Sequence, residues 1–308
     1  MVGIQHGRRP PVLLSQGLTL SGDPLGPTTL VYAASLSKQM TAACAAQLVR
    51  RGELDPESAL SRWLPRLPAW ADDVRLRHLV HHTAGLPADS EIETLLARAA
   101  DRTSEGIIEA LAQFATLDRP PGTAHVYSNA GYVCLAAVVE RAAGGPLPGH
   151  ARRQLFAPLA MTDTRYWPGP GPTPPGGAPL VHPRPAPLSL GDGGVWSTAT
   201  DLPALGSGAQ RRRTRPRGTR PDPGRLDDGT PLDYAWGVGV RSHAGHRVYR
   251  HGGGWPGLRA LHARIPDLDL SMVLVATADH TERRVGLLNG LLDEVVSIGG
   301  RRCPAPCR

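Results

Sequence analysis

The stretch YAASLSKQMTAACAAQLV, residues 32–49, contains a serine and a lysine whose spacing could support chemistry. Lys38 is the only lysine among 34 basic side chains, and it follows Ser35 by three positions. The pattern of apolar and small residues predicts a helix from near Ser35 to about Arg51, with Gly52 at its C-terminal cap. Residues three apart share one face of a helix, so the Lys38 amine can reach the Ser35 hydroxyl.

An amine in this position would give the serine a chemical role. A serine hydroxyl is a weak nucleophile until a neighbouring group accepts its proton. A neutral amine can accept that proton or hold the proton network in place, whereas an arginine guanidinium does not deprotonate in proteins. The start of the helix also offers a backbone N–H and a positive dipole where the charge of a tetrahedral intermediate would develop. Taken alone, the pair would also suit a helix-capping serine beside a solvated lysine.

Two further segments carry polar residues that could act together with Ser35 and Lys38. The segment HVYSNAGY places Tyr127 and Asn129 at a loop-to-helix junction, and YRHGGGWPG places His251 before three glycines. In order and rough spacing, Ser35-x-x-Lys38, Tyr127-x-Asn129 and His251-Gly-Gly resemble the three motifs of the serine β-lactamase and penicillin-binding-protein superfamily. The tyrosine in the second motif makes the chain similar to the class C β-lactamase and esterase branch.

Flanking segments extend the resemblance over roughly residues 3 to 298. The segments LRHLVHHTAGLP, RPPGTAHVYSNAGYVCLAAVVE, LFAPLAMTDT and GGVWSTATDL are each similar to a stretch of that branch. The resemblance implies an α+β fold in which an antiparallel sheet flanked by helices is built from both chain ends, with an inserted, mostly helical domain. It implies no cofactor.

The resemblance also implies roles for individual residues. Ser35 would be the acylated nucleophile, and Lys38 and Tyr127 would together handle its proton. Asn129 would hydrogen-bond the substrate amide or the lysine. The backbone N–H groups of Ser35 and Gly254 would form the oxyanion hole.

The third motif departs from the pattern of the β-lactamases and peptidases. Those enzymes usually carry Lys-Thr-Gly there, whose cation and hydroxyl hold a substrate carboxylate, whereas this chain carries His-Gly-Gly. A histidine is less cationic at neutral pH, and the hydroxyl is missing. The change favours an ester or another uncharged acyl compound. The resemblance implies that Gly253, Gly254 and Trp255 belong to the oxyanion hole and the substrate-binding site. His251 would be free instead to help Tyr127 shuttle protons.

The family resemblance leaves several activities open. We expect a serine hydrolase that acts through an acyl-enzyme on an ester or amide, with a small acyl compound as its partner. An acyltransferase of specialised metabolism, in which an alcohol or amine replaces water, is the close alternative. A D,D-peptidase or β-lactamase comes next. A binding protein that has lost catalysis is the least favoured hypothesis, because the serine, lysine, tyrosine and asparagine are all present.

The net charge of +7 does not indicate a nucleic-acid-binding protein. Residues 207–225 hold seven arginines and one aspartate, which leaves about +1 for the remainder of the chain. An arginine run mixed with proline and glycine, without aromatic residues, predicts a mobile, solvated loop at 207–230. A contact of this loop with an acidic partner is the alternative, and no nucleic-acid partner is expected.

Neither a metal site nor a membrane segment is expected. Three histidines lie close together in the sequence, His78, His81 and His82, but no acidic or thiol ligand lies beside them at the spacing of a metal site. By the resemblance, His82 corresponds to a loop histidine of the family that has a structural role. The N-terminus shows no apolar leader, and the chain shows no run of 18 apolar residues. Those features predict a cytoplasmic location.

The four cysteines fall into two groups. Cys44 and Cys134 lie within apolar helical patterns and are predicted core residues. Cys303 and Cys307, in the tail CPAPCR, could pair or bind a metal, but a lone C-x-x-x-C decides neither.

Strand patterns lie at both ends of the chain, with helical patterns between them. Strands are predicted at 2–5, 12–15, 234–242, 246–252, 259–266 and 271–279. Helices are predicted at 106–117, 130–145 and 282–296, and a loop at 167–187. We therefore expect a sheet domain of residues 1–52 plus 190–308, a mostly helical domain of residues 53–189, and the active site in the cleft between them.

Overall fold

The structure is a computed structural model, and it describes residues 1–7, 9–19, 21–96, 102–178, 186–206, 223–277, 286–287 and 289–294. Most of the predicted arginine-rich loop, Cys303 and Cys307, and both ends of the predicted last helix lie outside these residues. Residues 286–287 and 289–294 are helical, in agreement with the predicted last helix.

Ten strands lie among the described residues and form two antiparallel sheets. They are β1 (Val2–His6), β2 (Val12–Leu14), β3 (Val31–Tyr32), β4 (Arg165–Tyr166), β5 (Val195–Ser197), β6 (Tyr234–Ala235), β7 (Val238–His243), β8 (His246–Trp255), β9 (Leu258–Ile265) and β10 (Leu270–Ala276). The large sheet has the order β2-β1-β10-β9-β8-β7-β6, and the small one the order β3-β5-β4. Because β1 pairs with β10 along its whole length, the two ends of the chain meet in one sheet, as predicted.

Strand β8 continues through the three glycines of the third motif. It ends at Trp255, beyond the predicted limit at residue 252. Strand β9 pairs with it over this stretch, from Tyr249↔Arg264 to Trp255↔Leu258. Glycine inside a strand often marks a place where another backbone approaches closely. The third motif is therefore part of the sheet and not a turn.

Six α-helices lie among the described residues in addition to the helical residues near the C-terminus. They are α1 (Ser37–Arg50), α2 (Leu76–Val80), α3 (Asp89–Leu95), α4 (Ser104–Leu111), α5 (Asn129–Ala143) and α6 (Leu147–Ala151). Helices α1 and α5 pack against each other in the main core. Cys44 of α1 and Cys134 of α5 are fully buried in it, as predicted.

The observed helix limits differ from the predicted ones at several ends. A 3₁₀ turn, Ala34–Leu36, precedes α1, so Ser35 lies just before the α-helix. Helix α4 ends at Leu111 and not at residue 117, because the chain turns there and the Phe114 carbonyl accepts a hydrogen bond from the Trp70 indole at 2.9 Å. The fold class is nevertheless the predicted α+β arrangement of an antiparallel sheet flanked by helices. The division into two domains stays a prediction.

Candidate active site

Ser35 lies on a tight turn between strand β3 and helix α1. The turn Ala34–Leu36 begins with Ala34 at φ 48°, a left-handed conformation that is unfavourable for a residue other than glycine. The buried Ser37 hydroxyl donates a hydrogen bond to the Ala34 carbonyl at 2.6 Å and accepts one from the Val195 N–H at 3.2 Å. Ser37 thus ties the turn to strand β5.

The amine of Lys38 is buried and hydrogen-bonds three oxygen atoms. Its Nζ lies 3.3 Å from Ser35 Oγ, 2.7 Å from Asn129 Oδ1 and 2.9 Å from the backbone oxygen of Asp192. Three acceptors match the three N–H donors of an ammonium group. The contact between Ser35 and Lys38 is the one that the helical spacing predicts.

Tyr127 stands at the open side of the site, with 43% of its surface exposed. The Nζ atom of Lys38 lies 4.8 Å from the centroid of its ring. The centroids of the His82 and His251 rings lie 4.4 Å and 6.2 Å away. The structure therefore brings Tyr127 together with the lysine and with two imidazoles.

Asn129 is the first residue of α5, and its backbone is held by two side chains. Ser128 caps the helix, since its hydroxyl accepts a hydrogen bond from the Gly131 N–H at 3.0 Å. The Asp89 carboxylate accepts the N–H groups of Asn129 at 2.8 Å and of Ala130 at 3.2 Å. A carboxylate at a helix N-terminus satisfies unpaired amides and complements the helix dipole. These contacts position the backbone from which the Asn129 amide reaches Lys38.

His251 is buried on β8 and forms two hydrogen bonds through its ring. Nδ1 lies 2.6 Å from the Gly252 carbonyl oxygen, and Nε2 lies 3.2 Å from the Tyr234 hydroxyl. Because a carbonyl only accepts, Nδ1 carries the hydrogen and Nε2 accepts from Tyr234. Burial, together with the Lys38 cation, lowers the pKa of His251 to about 4, so the ring is neutral at pH 7. Its role as a proton shuttle for Tyr127 stays a prediction.

Gly253 lets β8 pack directly on the serine turn. A Cβ atom added there would lie 2.5 Å from the Ala33 carbonyl oxygen, which is closer than side chains can approach. At the neighbouring Gly252 the nearest atom would be 3.9 Å away. Only glycine at position 253 therefore allows the third motif to approach the serine this closely.

Gly254 turns its N–H toward an open edge of the sheet. The β7–β8 hairpin has the two-residue loop Ala244 and Gly245, at φ 46° and 79°, which are the positive values of a type I′ turn. His243 and His246 close this hairpin, and the closing pair of a two-residue loop exchanges both backbone hydrogen bonds. Because the direction of the N–H groups alternates along a strand, every second residue of β8 from His246 onward directs its N–H toward β7. The β7 ladder ends at Gly239↔Arg250, before Gly254. The N–H of Gly254 thus points beyond the end of β7.

A cavity of about 510 Å³, including its open mouth, lies beside the lysine. Asn129 and Asp192, two of the three partners of Lys38, form part of its wall, and Trp255 closes it at the end of β8. The Trp255 ring packs edge-on against Tyr32 at a centroid distance of 6.2 Å. The rest of the wall combines apolar residues with polar ones. The apolar residues are Ile92, Leu96, Ile107, Ala130 and Pro187, and the polar residues are Asp89, Glu93, Arg102 and Ser189.

Three residues of this site were missed by reasoning from the sequence: Asp89, Asp192 and Tyr234. Burial raises the pKa of the Asp192 carboxyl and the Lys38 cation opposes that shift, while Ser189 donates a hydrogen bond to the carboxyl at 3.0 Å. The position of Asp192 directly before GGVWSTATDL could have pointed to it. The start of DSEIE, with acidic residues typical of a first helical turn, could have pointed to Asp89.

The predicted histidine cluster serves local structure. His78 Nδ1 accepts the backbone N–H of Arg75 at 3.0 Å, and His82 Nδ1 accepts that of Ser128 at 3.1 Å. Among the described residues, His, Cys, Asp and Glu side chains form no group of three or more that could hold a metal ion. In the same part of the chain, no helix has both the length and the apolar character that crossing a membrane requires.

The model of the β-lactamase family matches residues 3–297. The chain belongs to the β-lactamase family. Penicillin-binding protein 4* of Bacillus subtilis (strain 168) is 28% identical over 290 residues, which cover 83% of this chain and 62% of that protein. Esterase EstB of Burkholderia gladioli is 35% identical over 160 residues, which cover 47% of this chain and 41% of that protein. The chain thus spans less than two thirds of the length of both relatives.

A solved structure of similar fold supports the architecture of this β-lactamase family member. The penicillin-binding protein from Bacillus halodurans superposes with a TM-score of 0.77, and the match covers 94% of this chain and 95% of that one at 23% identity. At this identity the likeness concerns the fold. The family resemblance inferred from the three motifs is confirmed.

Proposed function

We propose that this member of the β-lactamase family is a serine hydrolase that forms an acyl-enzyme on Ser35. The observation that carries the proposal is the position of Lys38 Nζ, 3.3 Å from Ser35 Oγ and 2.7 Å from Asn129 Oδ1. A serine becomes an effective nucleophile when a neighbouring group manages its proton. The buried amine provides that group within a helical turn of the hydroxyl.

In the acylation step, Ser35 Oγ attacks the acyl carbon of the substrate, and its proton passes to the pair formed by Lys38 and Tyr127, one of which must be in its deprotonated form. The backbone N–H groups of Ser35 and Gly254 hold the oxyanion that develops. The proton then moves to the leaving alcohol or amine as the C–O or C–N bond breaks. In deacylation, water attacks the acyl carbon and gives a proton to the same pair, and that proton passes to the Ser35 oxygen as the C–O bond of the acyl-enzyme breaks.

The substrate that we propose is an ester or amide with an uncharged acyl group. The neutral His251 offers no cation to a substrate carboxylate. Arg102 in the cavity lies 3.3 Å from the Glu93 carboxylate, so a substrate carboxylate would compete with an existing ion pair. The apolar side chains of Ile92 and Leu96 suit an apolar acyl chain.

Covalent labelling tests the nucleophile. Incubation with a fluorophosphonate should add one adduct to the intact mass of the wild-type protein and none to Ser35→Ala. Wild-type protein unfolded in urea serves as the control for non-specific reaction. An adduct that forms on Ser35→Ala at the wild-type rate would contradict the proposal.

A matched pair of esters tests the acyl group. p-Nitrophenyl butyrate and p-nitrophenyl hemisuccinate have acyl chains of similar length, but only the second carries a carboxylate. We expect kcat/KM to be at least about tenfold higher for butyrate, because the carboxylate would lose its hydration and could gain the Arg102 cation only by displacing Glu93. Equal or reversed values would contradict the uncharged acyl group but not the role of Ser35.

A D,D-peptidase or β-lactamase is the second candidate, and the similarity to penicillin-binding protein 4* favours it. Turnover of nitrocefin at a rate above that of the butyrate ester would place this candidate first. Acyl transfer is separated from hydrolysis by the partition of the acyl-enzyme between water and an added amine. The cytoplasmic location stays a prediction.

A further inference from the structure

We infer that His82 is the residue that positions Tyr127 against Lys38, an inference that rests on the function proposed above. Three consecutive residues around the tyrosine contact this one histidine. The Val126 N–H donates to the His82 carbonyl oxygen at 2.8 Å, and the Ser128 N–H donates to His82 Nδ1 at 3.1 Å. Between them, the Tyr127 ring packs on the imidazole at a centroid distance of 4.4 Å.

The backbone of His82 has an unusual conformation that allows this double contact. Its φ angle is 57°, in the left-handed region that only a few per cent of residues other than glycine adopt, histidine, asparagine and aspartate most often among them. In this conformation the carbonyl group and the ring of one residue both bind the loop that carries Tyr127. Such strain persists only where surrounding contacts enforce it, and it concentrates at functional sites.

The ring of His82 must be neutral to make its hydrogen bond. Because the Ser128 N–H donates to Nδ1, the imidazole hydrogen is on Nε2. Burial, followed by the Lys38 cation and neighbouring histidines, lowers the pKa of His82 well below 6.5. Nδ1 therefore remains an acceptor throughout the neutral pH range.

His82 can affect the reaction only through another residue. Its side chain is only 2% exposed, so a bound substrate cannot reach it directly. Tyr127, by contrast, is 43% exposed, so its packing on His82 is a main restraint on the angle of its ring relative to Lys38 Nζ. Loss of the restraint should lower kcat and leave KM nearly unchanged.

Two substitutions separate the hydrogen bond from the ring contact. His82→Asn keeps an acceptor atom at the position of Nδ1 and tolerates the left-handed backbone, but it removes the ring. His82→Ala removes both. Since a displacement of about 1 Å can cost about 10² in rate, we expect kcat for p-nitrophenyl butyrate to fall about tenfold in His82→Asn and about 10² in His82→Ala. KM should change by less than about threefold in both variants.

A double-mutant cycle distinguishes positioning from a merely structural role. If His82 acts through the phenol of Tyr127, then His82→Ala should lower kcat by less than about threefold in the Tyr127→Phe background, because the group it positions is already gone. An equal loss in both backgrounds, matched by an equal loss of urea stability, would leave His82 a structural residue and overturn the inference.

Hydrogen exchange tests the same contact without any use of catalysis. The Ser128 amide should exchange at least about tenfold faster in His82→Ala than in the wild type, and at nearly the wild-type rate in His82→Asn. Equal exchange in all three proteins would overturn the inference even if Ser35 is the nucleophile. A wild type that takes up no label at Ser35 would overturn the proposed function instead, while the exchange result would still decide whether His82 holds the Tyr127 loop.

Discussion

Lys38 and Asn129 lie 91 positions apart in the chain, and their side chains meet at 2.7 Å inside the protein. The contact joins helix α1 to the first residue of α5, and these two helices pack together in the core. A buried amine loses its hydrogen bonds to water, and burial is costly unless protein oxygens replace them. The packing of the core therefore determines the environment of the proposed proton carrier.

We expect that no other cation can replace the amine of Lys38. Lys38→Arg keeps the positive charge but brings a larger, planar group that does not deprotonate into a site where three oxygens surround one nitrogen. We expect kcat to fall by at least about 10², measured with p-nitrophenyl butyrate. Arg50→Lys, at the exposed end of the same helix, is the control and should retain wild-type activity. Retention of activity in Lys38→Arg would show that the amine is not required.

Two neighbouring glycines of β8 should respond differently to the same substitution. Gly253→Ala places a Cβ atom 2.5 Å from the Ala33 carbonyl, so β8 must move away from the turn that carries Ser35. We expect a loss of about 1–3 kcal/mol in the free energy of unfolding and a drop of at least about 10² in kcat. In Gly252→Ala the nearest atom is 3.9 Å away, so activity should stay within about threefold of the wild type. Similar effects of both substitutions would contradict the close approach.

The Asp89 carboxylate should matter for both stability and rate. Asp89→Ala leaves the N–H groups of Asn129 and Ala130 without the acceptor that they now share. We expect a loss of about 1–2 kcal/mol in the free energy of unfolding and a reduction of kcat by about tenfold, since Asn129 would lose its position against Lys38. Glu91→Ala, an exposed position on the same helix, is the control. An unchanged rate in Asp89→Ala would separate the helix cap from the active site.

The stability of the protein should fall in mild acid through its buried histidines. His262 lies between Gln39 Oε1 and Ser271 Oγ, at 3.0 Å from each, and burial lowers its pKa to about 3. In the unfolded chain a histidine has a pKa of about 6.5, so below pH 6.5 the unfolded state binds a proton that the folded state does not. Stability that is present above pH 6.5 is therefore lost as the pH falls toward 3.

This single histidine accounts for a slope of up to about 1.4 kcal/mol per pH unit. Urea unfolding between pH 7 and pH 4.5 measures the slope. His262→Gln should reduce the slope by nearly the contribution of one proton, about 1.4 kcal/mol per pH unit. This holds whatever the substitution does to stability at pH 7. A slope that is identical in His262→Gln and the wild type would show that His262 is not the group that titrates.

Part of the site could be predicted because its geometry is local or its motifs are short. Ser35 and Lys38 meet because they are three positions apart across the 3₁₀ turn and the first turn of α1, and residues three apart in such turns share a face. The strands of the sheet were predicted from their apolar patterns, and one sheet built from both chain ends was expected because strand patterns lie at both ends. The pairing of β1 with β10 itself came from the structure. The predicted end of α4, at residue 117, was wrong. The chain turns after Leu111, where it contacts the distant Trp70, and local periodicity does not reveal such a contact.

The sequence by itself determined the family, the α+β architecture and the serine–lysine pair, because motif order and helical spacing are properties of short stretches of chain. Only the tertiary structure decided which oxygens surround the Lys38 amine, since Asn129 and Asp192 lie 91 and 154 positions away. It also decided the partners of His82, which the sequence indicated only as a structural histidine. Hydrogen bonds over such separations depend on how helices and strands pack, and packing is set by the whole chain and not by any one segment.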